Sequence, residues 1–143
     1  MAHDSRSNRL GDISVTYVAV MARTLESQDI ASGPWLARYR MTRNQLATPG
    51  TRISIPLFMR MGHDAINLTG NPAHHTRLSD MGMAGLAALC SPTLGTALQT
   101  LIRFERLTSY NSRGQSQWQP LEEGAQARFY SISPYNRYNL FVV

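Results

Sequence analysis

Residues 79–108, SDMGMAGLAALCSPTLGTALQTLIRFERLT, carry the clearest helical pattern of the chain. Ser91 and Pro92 divide this stretch into two predicted helices, because serine caps a helix well and proline fits the first helical position, where no N–H is needed. Ser79 or Asp80 is the predicted cap of the first helix. The second helix has an apolar stripe at helical spacing, which consists of Leu94, Ala97, Leu98, Leu101, Ile102 and Phe104.

Glu105 falls on the same line of the second predicted helix as Leu98 and Leu101. A carboxylate within an apolar stripe needs a partner, because desolvation strongly disfavours an unpaired charge. Two interpretations stay open. Glu105 forms an interior ion pair with Arg113 or Arg128, which is the commoner arrangement, or it is the counter-ion of a cationic or hydrogen-bonding ligand bound between this helix and the strands that follow.

The pattern changes from helical to alternating after Thr108. Residues 115–121 and 125–133 are predicted to form two antiparallel strands joined by a Glu-Glu-Gly turn. Pro120 places the first of them at an edge, since proline cannot donate to a ladder. The predicted fold class is therefore α+β, with a helical layer over about residues 12–108 packed on a small antiparallel sheet over about residues 115–133.

The first part of the helical layer is predicted from caps and breakers. After a polar lead-in over residues 1–11, each predicted helix begins at a residue that suits a helix N-terminus. The predicted helices run from Asp12 or Ser14 to about Leu25, from Ser32-Gly33-Pro34 through Trp35, Leu36 and Tyr39, from the capping box Thr42–Gln45, and from Ser54-Ile55-Pro56 to about Leu68 with a stop at Gly70.

The composition indicates a soluble, cytoplasmic protein of one domain. The chain has 143 residues, of which 43% are hydrophobic and 16% charged, and these are values of a globular protein with a core. No apolar run is long enough to cross a membrane, and residues 1–14 lack the apolar segment of a signal peptide. The single cysteine, Cys90, excludes an internal disulfide, and its apolar neighbours predict a buried, inert thiol.

The net charge of +5 comes entirely from arginine, because all 14 basic residues are Arg. The absence of lysine excludes catalysis through a lysine Schiff base and a lysine-held pyridoxal cofactor. An arginine excess can indicate nucleic-acid binding, or it can reflect replacement of Lys in a GC-rich genome. The arginines are spread along the chain rather than clustered, which favours the second explanation.

The sequence predicts no catalytic site, no metal site and no cofactor. The available metal ligands are His63, His74, His75 and Cys90, and none of them stands at the spacing of a metal site. No glycine-rich phosphate loop is present. The protein is therefore expected not to be an enzyme.

Four segments of the chain resemble one family. Residues 88–103, ALCSPTLGTALQTLIR, closely resemble a signature in the N-terminal effector-binding domain of AraC-type transcriptional regulators, which is labelled arabinose-binding and includes the ornithine-utilisation regulator group. DISVTY at 12–17, TGNP at 69–72 and YSISPYN at 130–136 are similar to the same family. The resemblance covers nearly the whole chain from about Gly11.

The resemblance implies a non-enzymatic sensor domain of a transcription activator. In such regulators the DNA-binding helix-turn-helix motifs lie C-terminal to this domain, so DNA is expected to be bound only through that absent part. Residues 12–143 are expected to be one effector-binding domain of a longer protein. The apolar end at Val143 is consistent with a truncated chain or a subunit contact, and a homodimer is expected.

A small-molecule effector is expected to bind between the second predicted helix and the strands, with no membrane partner. A carboxylate beside aromatic rings suits an amine, an amino acid or a similar metabolite. Phe129 and Tyr130 cannot both face this pocket, because strand side chains alternate. The predicted ligand-binding residues are Glu105, Leu101, Trp118, Phe129 and Tyr130. The alternative is an oligomerisation module without an open ligand pocket.

Overall fold

The structure is a computed structural model that describes residues 10–70, 77–112 and 114–130. Several sequence predictions fall outside these residues. They concern His74, His75, Arg113, the last residues of the second predicted strand at 131–133 and most of the family-like segment 130–136.

The described residues form an α+β fold, which confirms the predicted class. In chain order the elements are β1 (Gly11–Ser14), α1 (Thr16–Glu26), α2 (Ser32–Arg38), α3 (Arg43–Ala47), β2 (Arg52–Ser54), α4 (Ile55–Thr69), a 3-10 turn (Leu78–Met81), α5 (Gly82–Leu89), α6 (Leu94–Arg103), α7 (Glu105–Thr108), β3 (Ser109–Asn111), β4 (Gln117–Leu121) and β5 (Gly124–Arg128).

The structure contains a three-stranded antiparallel sheet that the sequence analysis missed. Its strand order is β2-β1-β3, and Ile13 is in register with Ile53 on one side and Ser109 on the other. The helix predicted from Asp12 or Ser14 therefore begins only at Thr16, and Ser14 Oγ accepts the Thr16 N–H at 3.3 Å. Pairing with strands far along the chain decides the conformation of such a short segment, and no local pattern reports it.

The main core lies between α1, α2 and α4. Trp35 is 2% exposed, and its Nε1 donates to the Met61 carbonyl oxygen of α4 at 3.3 Å. This bond satisfies the one polar atom of a buried indole. The buried apolar side chains of this core are Val15, Val18, Met21, Ala22, Leu25, Trp35, Leu36, Met41, Met61 and Ala65.

The predicted start of α2, the capping box of α3 and the start and stop of α4 are confirmed, although α2, with Ala31 at its N-cap position, has no side-chain cap. In α3 the Thr42 hydroxyl accepts from the Gln45 N–H, and the Gln45 side chain accepts from the Thr42 N–H, which is the capping box. Pro56 lies at the start of α4, and Gly70 ends that helix in a left-handed conformation with φ of 66°.

The caps of α5 and α6 differ from the prediction. The 3-10 turn precedes α5, so this helix begins at Gly82 rather than directly after Ser79 or Asp80. Thr93, not Ser91, caps α6, since its Oγ accepts the Thr96 N–H at 3.1 Å. Ser91 instead donates to the Ala87 carbonyl oxygen at the end of α5.

Asp80 joins the 3-10 turn to the main core. Its Oδ1 lies 2.6 Å from Nη2 of Arg23 on α1, and its Oδ2 accepts the Arg77 N–H at 2.9 Å. Burial alone would raise the pKa of Asp80, but the bonds from Arg23 and from the Arg77 backbone outweigh it and hold the pKa below 3.8. The charged form of Asp80 is therefore the form that the fold stabilises.

Replacing Asp80 by Asn should lower the free energy of unfolding at neutral pH by about 1–2 kcal/mol, because it removes a mostly buried carboxylate from an ion pair. A group whose pKa is lowered by folding stabilises above its unfolded pKa, and this stabilisation disappears as the pH falls through the folded pKa. Urea denaturation at pH 7 and near pH 3 should therefore show a large difference between the two proteins at pH 7 and a small one in acid. An equal difference at both pH values would contradict the assignment.

Candidate ligand-binding site

The β4–β5 hairpin packs on α6, as the sequence analysis predicted. β4 contacts α6, and the Trp118 ring lies against Gly95, 3.8 Å from the position that a β-carbon of Gly95 would occupy. A β-carbon at position 95 would therefore be in ordinary van der Waals contact with the indole. Leu101 lies half-buried two turns further along the same helix.

The second predicted helix is interrupted at Phe104. α6 ends at Arg103, and Glu105 begins α7, a single turn that leads directly into β3. The prediction that Glu105 continues the line of Leu98 and Leu101 is therefore wrong, because that geometry requires an unbroken helix. Neither glycine nor proline marks the break.

Glu105 accepts a backbone hydrogen bond from the segment that precedes β4. Its Oε2 lies 3.0 Å from the Ser116 nitrogen, and the residue is half-buried. Among the ion pairs of the described residues none joins Glu105 to Arg128, and Arg113 lies outside those residues. The described surroundings therefore supply a hydrogen-bond donor to this carboxylate but no cationic partner.

Arg106, the next residue of α7, is hydrogen-bonded to Gln115, which immediately precedes Ser116. With its amide oxygen turned toward the guanidinium, Gln115 accepts from Arg106 Nη2 at 2.9 Å. The guanidinium also lies 5.8 Å from the centre of the Tyr110 ring of β3. We refer to the two consecutive tethers, Glu105 to Ser116 and Arg106 to Gln115, as the α7 clamp.

Tyr130 lies against Gly114, at the other end of the segment 114–116. Its ring contacts Gly114, where a β-carbon would come within 2.8 Å of the ring, and its carbonyl oxygen accepts from Asn111 Nδ2 at 2.7 Å. Glu105 and Tyr130 thus contact the same three-residue segment at Ser116 and at Gly114. Only glycine fits under the tyrosine ring without displacing it.

Three of the five predicted site residues therefore meet around one segment. Glu105 and Tyr130 contact residues 114–116, and Trp118 follows two residues later on β4. Phe129 is 53% exposed, and no hydrogen bond or ring contact of the described residues joins Phe129 or Leu101 to Glu105.

The outer face of the hairpin carries polar residues that the sequence analysis did not select. They alternate along both strands, and the antiparallel register brings Gln117 opposite Arg128 and Gln119 opposite Gln126. Together with Trp118 these residues line an open groove of about 430 Å³. The period-two spacing of the glutamines was the available signal, since alternate residues of a strand share a face.

The α7 clamp is connected to the three-stranded sheet β2-β1-β3, which we refer to as the core sheet. Arg52 of β2 donates through Nη1 to the Leu107 carbonyl oxygen at 3.2 Å, and through Nε to Asp12 of β1. Thr108 is hydrogen-bonded to the hydroxyl of the partly buried Tyr17. Desolvation raises the pKa of Tyr17, although this hydrogen bond acts to lower it. Hydrogen bonds therefore connect the segment before β4, through α7, to the sheet.

Residues 10–70, 77–112 and 114–130 contain no group of three His, Cys, Asp or Glu side chains arranged to hold a metal ion. His63 is hydrogen-bonded to Asn67 on α4. Cys90 is exposed at the end of α5, so the prediction of a buried thiol is wrong. No helix in this part of the chain is long and apolar enough to cross a membrane.

Comparison with known proteins identifies a family for this chain. The chain matches the family described as "Arabinose-binding domain of AraC transcription regulator, N-term" over residues 30–142, which is most of its length. No curated protein matches the chain. The family is a regulatory domain of transcription factors and not a class of enzymes. The chain therefore belongs to the family of N-terminal arabinose-binding domains of AraC transcription regulators.

Proposed function

We propose that this domain binds a small cationic effector at the α7 clamp and passes the binding event to a DNA-binding module elsewhere in a cytoplasmic regulator. The effector is an amine, an amino acid or a similar metabolite. In this proposal residues 12–143 act as one sensor domain, and DNA is contacted only by a C-terminal helix-turn-helix part of the longer protein.

The observation that carries the proposal is the half-buried Glu105 carboxylate, which has a backbone donor and no cation among the described residues. The negative charge favours an ammonium group, and the Tyr130 and Trp118 rings supply apolar and cation–π contact nearby. Binding would favour one conformer of the clamp, and α7 connects that conformer to the core sheet through Arg52.

A second candidate is a pure oligomerisation module, and the exposed apolar surface of α5 and α6 favours it. Met83 is 75% exposed and Leu94 is 76% exposed, with Leu86 and Leu89 about half exposed. Large exposed apolar side chains on two helices that contact each other are typical of protein contacts. We propose a homodimer in either case, because regulators commonly bind repeated DNA half-sites.

Replacing Glu105 by Gln separates the two candidates. Gln keeps the volume and an oxygen for the Ser116 N–H but removes the charge, so affinity for a cationic effector should fall about tenfold to a hundredfold while the melting temperature changes little. Thermal-shift measurements against alkylamines, amino acids and short carboxylic acids identify the effector, because a ligand specific for the folded state raises the melting temperature.

Glu122→Gln is the matched control, since it makes the same charge change in the exposed hairpin turn. The control should bind the effector as the unmodified chain does. A Glu105→Gln variant that is clearly destabilised yet binds the effector normally would show that Glu105 is a structural residue. If no compound raises the melting temperature, the oligomerisation module is the better account.

A further inference from the structure

The two outer edges of the β4–β5 hairpin differ in whether a further strand can pair with them. Pro120 lacks an N–H, so its place in the ladder is one where the nitrogen points away from β5. This closes the outer edge of β4, which also carries Trp118 against α6. The hairpin is thus held through β4 and presents β5 outward.

Among the described residues, no strand pairs with the outer edge of β5, so its backbone groups are available there. Ala125 is the register partner of Pro120, so its N–H and C=O also point away from the hairpin, and alternation places those of Ala127 in the same direction. Within the described residues β4 is the only strand beside β5. Exposed edges are normally protected by Lys, Pro or a bulge, whereas the sequence of β5, GAQAR, has small side chains and one charge.

We infer that β5 pairs with β5 of a second copy of this chain, antiparallel about a two-fold axis at Gln126. This register places Ala125 of each copy opposite Ala127 of the other, so their outward backbone groups can exchange four hydrogen bonds. The two Gln126 side chains then meet on the polar face. The four strands form one continuous sheet across the axis, which is the isologous contact that a homodimer requires.

Charge complementarity supports a second copy as the occupant of this edge. In the same register Arg128 lies opposite Gly124 of the other copy, directly beside the Glu122 and Glu123 of its turn. Each end of the contact therefore joins a guanidinium to two carboxylates, and no like charges stand opposite each other, which would be destabilising. The edge is complementary to itself in hydrogen bonding, in size and in charge.

This inference deepens the proposed homodimer and rests on that part of the proposed function alone. Cysteine cross-linking in a Cys90→Ser background tests the register directly. Cysteines at Gln126 face each other at the axis in a non-hydrogen-bonded pair, where β-carbons are close enough for a disulfide. Gln126→Cys should therefore form a covalent dimer under mild oxidation. Gln119→Cys, on the same face of the other strand, lies too far from its counterpart and should stay monomeric.

Ala127→Pro gives an independent readout by sedimentation. It removes an N–H that the hairpin itself does not use, so the fold should persist while dimerisation weakens about tenfold or more. Ala127→Ser keeps the N–H and should dimerise normally. Equal cross-linking of Gln126→Cys and Gln119→Cys, or unchanged dimerisation of Ala127→Pro with an intact circular dichroism spectrum, would overturn the inference. Effector binding measured on Ala127→Pro is independent of this result, so a failed dimer contact and a failed sensor role are distinguishable.

Discussion

Replacing Gly11 by Ala is expected to destabilise the domain by about 3–5 kcal/mol, a large part of the total stability of a domain of this size. Gly11 has a φ of +107°, and a β-carbon there would lie 1.8 Å from the Tyr110 carbonyl oxygen. The contact is with backbone of β3, so β1 and β3 would have to separate. The midpoint of urea denaturation measures the effect.

Gly50→Ala is the matched control for this substitution. Gly50 also has a positive φ, of +74°, but no atom lies within 4 Å of the position of its β-carbon. The control should lose only about 1 kcal/mol, the cost of the backbone conformation without a clash. Equal destabilisation by the two substitutions would mean that β1 and β3 are not in contact at Gly11.

Replacing Trp35 by Ala should lower the free energy of unfolding by about 3–5 kcal/mol, because it removes the largest side chain of the main core. The indole is 2% exposed, packs edge-on against Tyr39 and donates to the Met61 carbonyl oxygen. Its removal therefore loses apolar burial and leaves a cavity between the helices. Thermal unfolding followed by circular dichroism should show a much lower melting temperature or no cooperative transition.

An exposed leucine, Leu94, provides the control for the substitution of the buried Trp35. Leu94 on α6 is 76% exposed, so Leu94→Ala removes little buried area and should leave stability almost unchanged. Trp35→Phe should lie between the two, since it keeps most of the ring but loses the Nε1 donor. A Trp35→Ala variant as stable as Leu94→Ala would contradict the position of the main core between α2 and α4.

Local signals predicted the parts of the fold whose structure is decided locally. The Thr42–Gln45 capping box and the helix α4, with its start near Pro56 and its stop at Gly70, were found from residue types, because caps and breakers act over three or four residues. The strand β1 and its partner β2 were missed. Their residues become strands only by pairing with segments about 40 and 100 positions away, and four-residue segments carry no reliable period.

The structure places three of the predicted site residues around one segment, but with a geometry that differs from the expected one. The choice of Glu105 came from an assumed unbroken helix, whereas the structure places this carboxylate on α7, facing Ser116. Trp118 was correctly placed against α6. The tether from Arg106 to Gln115 could not be foreseen, because both residues are polar and ordinary, and only the turn at Phe104 brings them together.

The structure gives the regulatory domain a short physical path from the hairpin to its core. The clamp joins the residues before β4 to α7, and Arg52 joins α7 to β1 and β2. In the proposed function, an effector that binds Glu105 competes with or reinforces the Ser116 tether, and so shifts the position of the hairpin. The hairpin edge that we assign to the second copy moves with it.

The most direct measurement is the amide resonance of Ser116 during titration with the amine selected by thermal shift. Ser116 N–H donates to Glu105 Oε2, so this signal reports on the carboxylate itself. We predict that Ser116 and Gln115 shift most in the unmodified chain and in Glu122→Gln, and that the shifts disappear in Glu105→Gln at the same amine concentration. Saturable binding that leaves the Ser116 resonance unchanged, or that gives the same shifts in Glu105→Gln, would contradict an effector site at the α7 clamp.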